Sequence, residues 1–186
     1  MRVTGGHDRG RKLRAPRGLS TRPTSAKVRE ALFNILGLPP DAPVLDLYAG
    51  TGALGIECLS RGAPHAIFVE KDGRALAALH RNLKELALED RATVVGRDVR
   101  AAIKQLAAAG QRFVWVFADP PYAAGELEGT LGALGGAGVL ARGAVIIVEH
   151  DKRHEPPSAS GDLQLADRRY YGDTGVSFYR LSTGLT

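Results

Sequence analysis

A chain of 186 residues, 44% hydrophobic and 24% charged, is long enough to bury a core without staples, and its one cysteine, Cys58, excludes an internal disulfide. No apolar run reaches the ~18 residues of a membrane span. The five histidines stand in no metal-ligand spacing and the basic N-terminus lacks an apolar signal core, so the sequence reads as a cytoplasmic protein without a metal. The net charge of +5 is unevenly spread: residues 1–29 hold nine Lys/Arg against Asp8 alone, or +8, while the other 157 residues hold sixteen basic and nineteen acidic groups, or −3. A cationic segment on a mildly acidic body favours a polyanion.

Residues 1–23, rich in Gly, Arg and Pro, form a basic N-terminal extension that fits a hairpin turning near Gly5–Gly10; residues 24–186 form one domain. Val28, Ala31, Leu32, Ile35 and Leu36 share one helical face, and Gly37 with Pro39–Pro40 ends that helix. Strands and helices then alternate. The strands are VLDLY (44–48), AIFVE (66–70), ATVV (92–95), FVWVFA (113–118) and AVIIVE (144–149). Between them lie helices at 54–60, along the stripe Ala75, Leu76, Leu79, Leu83 and Leu86, at 99–109, and a weak Gly-rich one over 126–140. LQLADRRYY and VSFYRL, parted by Gly172–Gly175, read as a hairpin. The pattern predicts an α/β, Rossmann-like fold: a mostly parallel seven-stranded sheet with an antiparallel C-terminal strand and helices on both faces.

Between the first strand and its helix, Gly50, Gly52 and Gly55 hold the spacing G-x-G-x-x-G, and Glu70 follows Gly50 by twenty residues. This is the pattern of a nucleotide-binding turn: the glycines let backbone approach the ligand, and an acid at the next strand end accepts ribose hydroxyls. Asp98, after the third strand, suits an adenine amine. Asp46, four residues before Gly50, opposes a pyrophosphate and suits a cationic ligand such as a sulfonium bearing an ammonium. Each acid also has a plain structural reading: Asp46 as a loop cap, Glu70 as a surface acid, Asp98 as the cap of the helix at Val99. Lys71 reads as their solvated neighbour.

The fourth strand runs into FADPPY. Two prolines stiffen the turn and remove two N–H donors, leaving the Asp119 carboxylate and the Pro120 carbonyl as acceptors beside the flat ring of Tyr122. Such a cluster suits a planar group that bears an NH₂.

The aspartate-glycine turn, the two acids and D-P-P-Y together resemble class I S-adenosylmethionine-dependent methyltransferases that act on exocyclic amines of nucleic-acid bases. GGHDRGRKL, RPTSAKVREALFNIL, LDLYAGTGALGIECLSRGA and FADPPY narrow the resemblance to the bacterial family that methylates guanine N2 in 16S ribosomal RNA, over residues 5–181. The resemblance implies S-adenosylmethionine as cofactor. Asp46, Gly50, Thr51 and Gly52 would lie at its methionine end, Glu70 at its ribose, and Asp98 and Val99 at its adenine, with Tyr48 and Lys71 as further cofactor-binding candidates. Asp119, Pro120 and Tyr122 would be the catalytic set, and the cationic N-terminal segment would supply Arg9, Arg11, Lys12, Arg22 and Arg29 as RNA contacts. The implied partner is 16S RNA within the small ribosomal subunit or an assembly intermediate. The competing readings are a DNA adenine-N6 methyltransferase, which also uses D-P-P-Y, and a non-catalytic ribosome-assembly binder. A dinucleotide oxidoreductase leaves Asp46 and D-P-P-Y without a role. Arg168, Arg169, Tyr170 and Tyr171 read equally as a second RNA contact or as plain surface charge.

Overall fold

The computed structural model describes residues 1–16, 26–121 and 125–182, in two compact units, Met1–Asp98 and Val99–Thr186. The first unit begins with an antiparallel bridge, Arg2↔Lys12, closed by Val3 N–H to Arg11 O (3.0 Å) and Gly10 N–H to Val3 O (2.9 Å). Val3 and Leu13 are buried under this hairpin, so its apolar residues dock while its cations face out. Helix α1 spans Ala26–Leu36 and buries Val28, Arg29, Leu32 and Phe33. Strands β1 (Val44–Leu47), β2 (Ala66–Glu70) and β3 (Ala92–Gly96) pair in parallel in the order β3-β2-β1. Parallel strands are covered on both faces, and the apolar residues of β1 are fully buried.

Helix α2 (Ala53–Ser60) follows β1 and is buried from Leu54 to Ser60. Helix α3 (Gly73–Glu85) follows β2. The Asp72 carboxylate caps α3 by accepting from the N–H groups of Arg74 and Ala75. Ala75, Ala78, Leu79, Asn82 and Leu83 form its buried face.

The second unit opens with α4 (Val99–Ala108), followed by β4 (Phe113–Ala118), α5 (Glu126–Ala137), β5 (Leu140–Asp151), β6 (Ala159–Ser160), β7 (Leu163–Tyr171) and β8 (Thr174–Leu181). Its strand order is β4-β5-β8-β7-β6, with β4 and β5 parallel and the rest antiparallel. Gly172, at φ +66°, and Asp173 make a two-residue turn between β7 and β8.

The α/β class, the mostly parallel pairing and the antiparallel C-terminal strands match the sequence pattern. The strand count does not: eight strands stand among the described residues where the pattern gives seven. The added one, β6, is two residues long and too short to show alternation. The Gly-rich helix stops at Ala137 rather than 140, because Gly138 takes φ +69° and Leu140 already belongs to β5.

Candidate functional site

The turn between β1 and α2 carries three left-handed residues within five positions: Tyr48 (φ 56°), Gly50 (φ 55°) and Gly52 (φ 83°). The first has a side chain, so the turn holds local strain that its surroundings enforce. The glycines answer different demands. A Cβ on Gly50 would approach only Tyr48 O, at 3.9 Å, so its backbone stands open to a ligand. One on Gly52 would lie 2.4 Å from Leu79 Cδ1, and one on Gly55 2.3 Å from Phe68 Cε1. Gly52 and Gly55 thus let α2 sit tightly against its neighbours.

Two carboxyls close on this turn. Glu70, at the end of β2, accepts the Gly50 N–H at Oε2 (2.8 Å) and those of Lys71 and Asp72 at Oε1 (2.7 and 2.8 Å). Asp46 is 2% exposed, and its Oδ2 accepts the Gly55 N–H at 2.9 Å. Burial pushes its pKa up to about 7; the Gly55 N–H holds it down and the Glu70 charge adds to the rise. A buried acid poised there ionises readily when a cation arrives. Lys71 and Asp98 form an exposed ion pair at 3.7 Å, and Val99 is the buried first residue of α4. In the second unit Asp119 is half-buried just past β4 and Pro120 is buried. Tyr122 lies outside the described residues, as does Arg22.

Polar residues that the sequence reading passes over support the turn and the hairpin. Asn82, 1% exposed on α3, donates from Nδ2 to Thr51 O (3.0 Å) and to Arg14 O (3.1 Å), and its Oδ1 accepts the Arg14 N–H (2.7 Å). Glu57, fully buried on α2, accepts from Thr4 N–H and Oγ1 (2.8 and 2.7 Å) and from Arg61 Nε (2.9 Å). Their signal in the sequence is a polar side chain on an otherwise apolar helical face.

Arg29 requires a correction. The charge of the N-terminal segment suggests it as an RNA contact, but its side chain is fully buried, with Nε 3.5 Å from Glu57 Oε2 and further bonds to Met1 Sδ and Arg2 O. It shares the inward face of α1 with Leu32 and Phe33, and no phosphate reaches it. Arg9 and Lys12 are exposed. Arg11 is exposed too, and donates to Glu85 O at 2.6 Å. Arg168 is a strut rather than a free cation: it binds Glu155, Pro156 O and Ser177 Oγ.

The family model described as "Conserved hypothetical protein 95" matches residues 1–180. The Ribosomal RNA small subunit methyltransferase D of Escherichia coli K12 is 38% identical over 97% of this chain and 89% of its own length. YlbH of Bacillus subtilis is 41% identical over 97% of this chain and 98% of its own length. The solved Thermus thermophilus hypothetical protein TTHA0928 covers 96% of this chain and 98% of itself, with a TM-score of 0.83 and 34% identity. The fold is the Rossmann-like fold of methyltransferases. With an aspartate-glycine turn in one unit, D-P-P-Y in the other and full-length kinship, the chain belongs to the Conserved hypothetical protein 95 family, which holds the ribosomal RNA small subunit methyltransferases D.

Proposed function

We propose that the chain transfers a methyl group from S-adenosylmethionine to the exocyclic N2 amine of a guanine in 16S ribosomal RNA. The observation that carries this reading is a ligand-accessible glycine turn, closed by Glu70 and Asp46, in a chain whose sequence also holds Asp-Pro-Pro-Tyr after β4 and which is akin over 97% of its length to a methyltransferase of the small-subunit RNA.

The residues fit this cofactor. Gly50 leaves backbone open, Glu70 offers a carboxylate to ribose hydroxyls, and the buried Asp46 carboxyl gains a counter-charge from a cationic methionine end. Tyr48, Thr51 and Gly52 border that end; Asp98, Val99 and Lys71 serve the adenosine end. S-adenosylmethionine supplies an electrophilic methyl group whose leaving group is a neutral thioether, so alignment counts for more than a strong base. The Asp119 carboxylate and the Pro120 carbonyl accept the N2 hydrogens, turn the nitrogen lone pair out of conjugation and offset the positive charge that grows on nitrogen. One N2 proton passes to water afterwards. Tyr122 stacks on the extruded base, a contact worth ~1–3 kcal/mol. Arg9, Arg11, Lys12 and Arg22 grip phosphates without reading sequence. The RNA is met in the cytoplasm, within the small subunit or an assembly intermediate.

The test is transfer of a radiolabelled methyl group to unmethylated small subunits, naked 16S RNA and duplex DNA, followed by nucleoside analysis. Label in N2-methylguanosine from the RNA, lost in Asp119→Ala with cofactor affinity kept, is the expected result. Label in DNA adenine, or tight cofactor binding with no transfer, overturns it.

A further inference from the structure

Both hydrogens and the oxygen of the Asn82 carboxamide are used, and they join two parts of the first unit far apart in sequence. On one side Oδ1 takes the Arg14 N–H and Nδ2 returns a hydrogen to Arg14 O, at 2.7 and 3.1 Å. This is the reciprocal pairing one strand residue makes with another, supplied by a side chain. On the other side the same Nδ2 donates to Thr51 O at 3.0 Å, within the glycine turn. Leu79, one helical turn earlier on α3, supports Gly52 from below. The face of α3 that carries the turn therefore also holds the end of the basic hairpin.

The geometry assigns Asn82 as a positioning residue that couples the hairpin's hold on RNA to the turn's hold on the cofactor. This rests on the function proposed above. RNA seated on Arg9, Arg11 and Lys12 fixes the backbone at Arg14; Arg14 fixes the Asn82 amide, and the amide fixes Thr51 O. The order imposed at one end lowers the ordering cost at the other, in both directions. Only an amide serves both ends. An aspartate keeps the acceptor for the Arg14 N–H but has no hydrogen for either carbonyl.

Two measurements test this. The first needs no RNA: calorimetric titration of S-adenosylhomocysteine into the parent, Arg14→Ala and Arg14→Pro. The alanine keeps the N–H that Asn82 holds and the proline removes it. We expect unchanged affinity for Arg14→Ala and roughly fivefold or greater weakening for Arg14→Pro, the lower bound of ordinary site-to-site coupling. Equal affinities, with melting curves showing both variants folded, overturn the assignment. The second repeats the titration with and without unmethylated small ribosomal subunits. In the parent the subunits tighten S-adenosylhomocysteine by roughly fivefold or more. In Asn82→Asp the ratio falls to one, because the link between the two sites is cut; a merely structural loss would lower both affinities alike and leave the parent's ratio. A parent that methylates the subunits yet shows no tightening, or an Asn82→Asp variant that keeps it, defeats the coupling and leaves the function standing. A parent that ignores the subunits defeats the function, and the arginine pair then still decides whether Asn82 positions the turn.

Discussion

Asp46→Asn separates two demands placed on one carboxyl. Burial lifts the Asp46 pKa from 3.8 to about 7. Between those values the folded chain binds the proton that the unfolded chain has lost, so stability falls as pH rises, and the loss is complete only above the folded value. The cost to the parent is about 2 kcal/mol at pH 5 and about 4 kcal/mol at pH 8.5. An amide at this position still accepts the Gly55 N–H and carries no charge. Urea denaturation should therefore show Asp46→Asn more stable than the parent, with a margin that widens by roughly 2–3 kcal/mol between pH 5 and pH 8.5. Affinity for S-adenosylmethionine should move the other way, falling about tenfold, since one charge pair of ~1.4 kcal/mol is lost. A margin that does not change with pH would show that the folded chain holds no proton on Asp46, and the electrostatic account of the turn would fail.

Other substitutions address other contacts. Gly55→Ala puts a methyl group 2.3 Å from Phe68 Cε1 and should cost ~1–3 kcal/mol in urea denaturation; an unchanged midpoint would mean that α2 shifts freely over β2. Glu57→Gln leaves the buried Arg29 charge poorly matched, at ~3–5 kcal/mol. Its melting temperature should fall by ~10 °C and trypsin should cut sooner at Arg9 and Arg11; melting at the parent temperature would refute Glu57 as the charge that balances buried Arg29. Replacing Arg9, Arg11 and Lys12 together by alanine should flatten the log–log salt dependence of RNA binding by about 2, and an unchanged slope would remove the hairpin from the RNA interface. Glu70→Ala should raise the S-adenosylmethionine Kd tenfold or more in calorimetry, and an unchanged Kd would free Glu70 from the ribose.

The parts legible in the sequence are those written as local pattern. β2 is an apolar run that ends at Glu70, β4 one that runs into Asp119, and β1 carries Asp46 as a lone acid among apolar residues, so the elements and their acids can be read from order alone. The three glycines are legible as a turn but not as three separate demands: the contacts of Gly52 with Leu79 and of Gly55 with Phe68 join residues from different elements. Arg29 misleads because a basic run looks solvated residue by residue. Its burial depends on Glu57, 28 positions later, which no local window contains. Asn82 and Glu57 escape for the same reason, since their partners at Arg14, Thr51 and Thr4 are distant in sequence.

The short strand β6 has a consequence for how copies of the molecule meet. It pairs only with Leu163 and Gln164, so among the described residues no strand covers the outer side of β7 from Asp167 to Tyr171. A long bare strand edge invites a second chain to add to the sheet and begin aggregation. Here the register slips between Leu165 and Asp167, and the edge beyond the slip carries Asp167, Arg168 and Arg169, held by ion pairs within the same chain. A second copy docking there would strip water from those charges. Arg168 and Arg169 thus guard an edge that would otherwise invite a second chain.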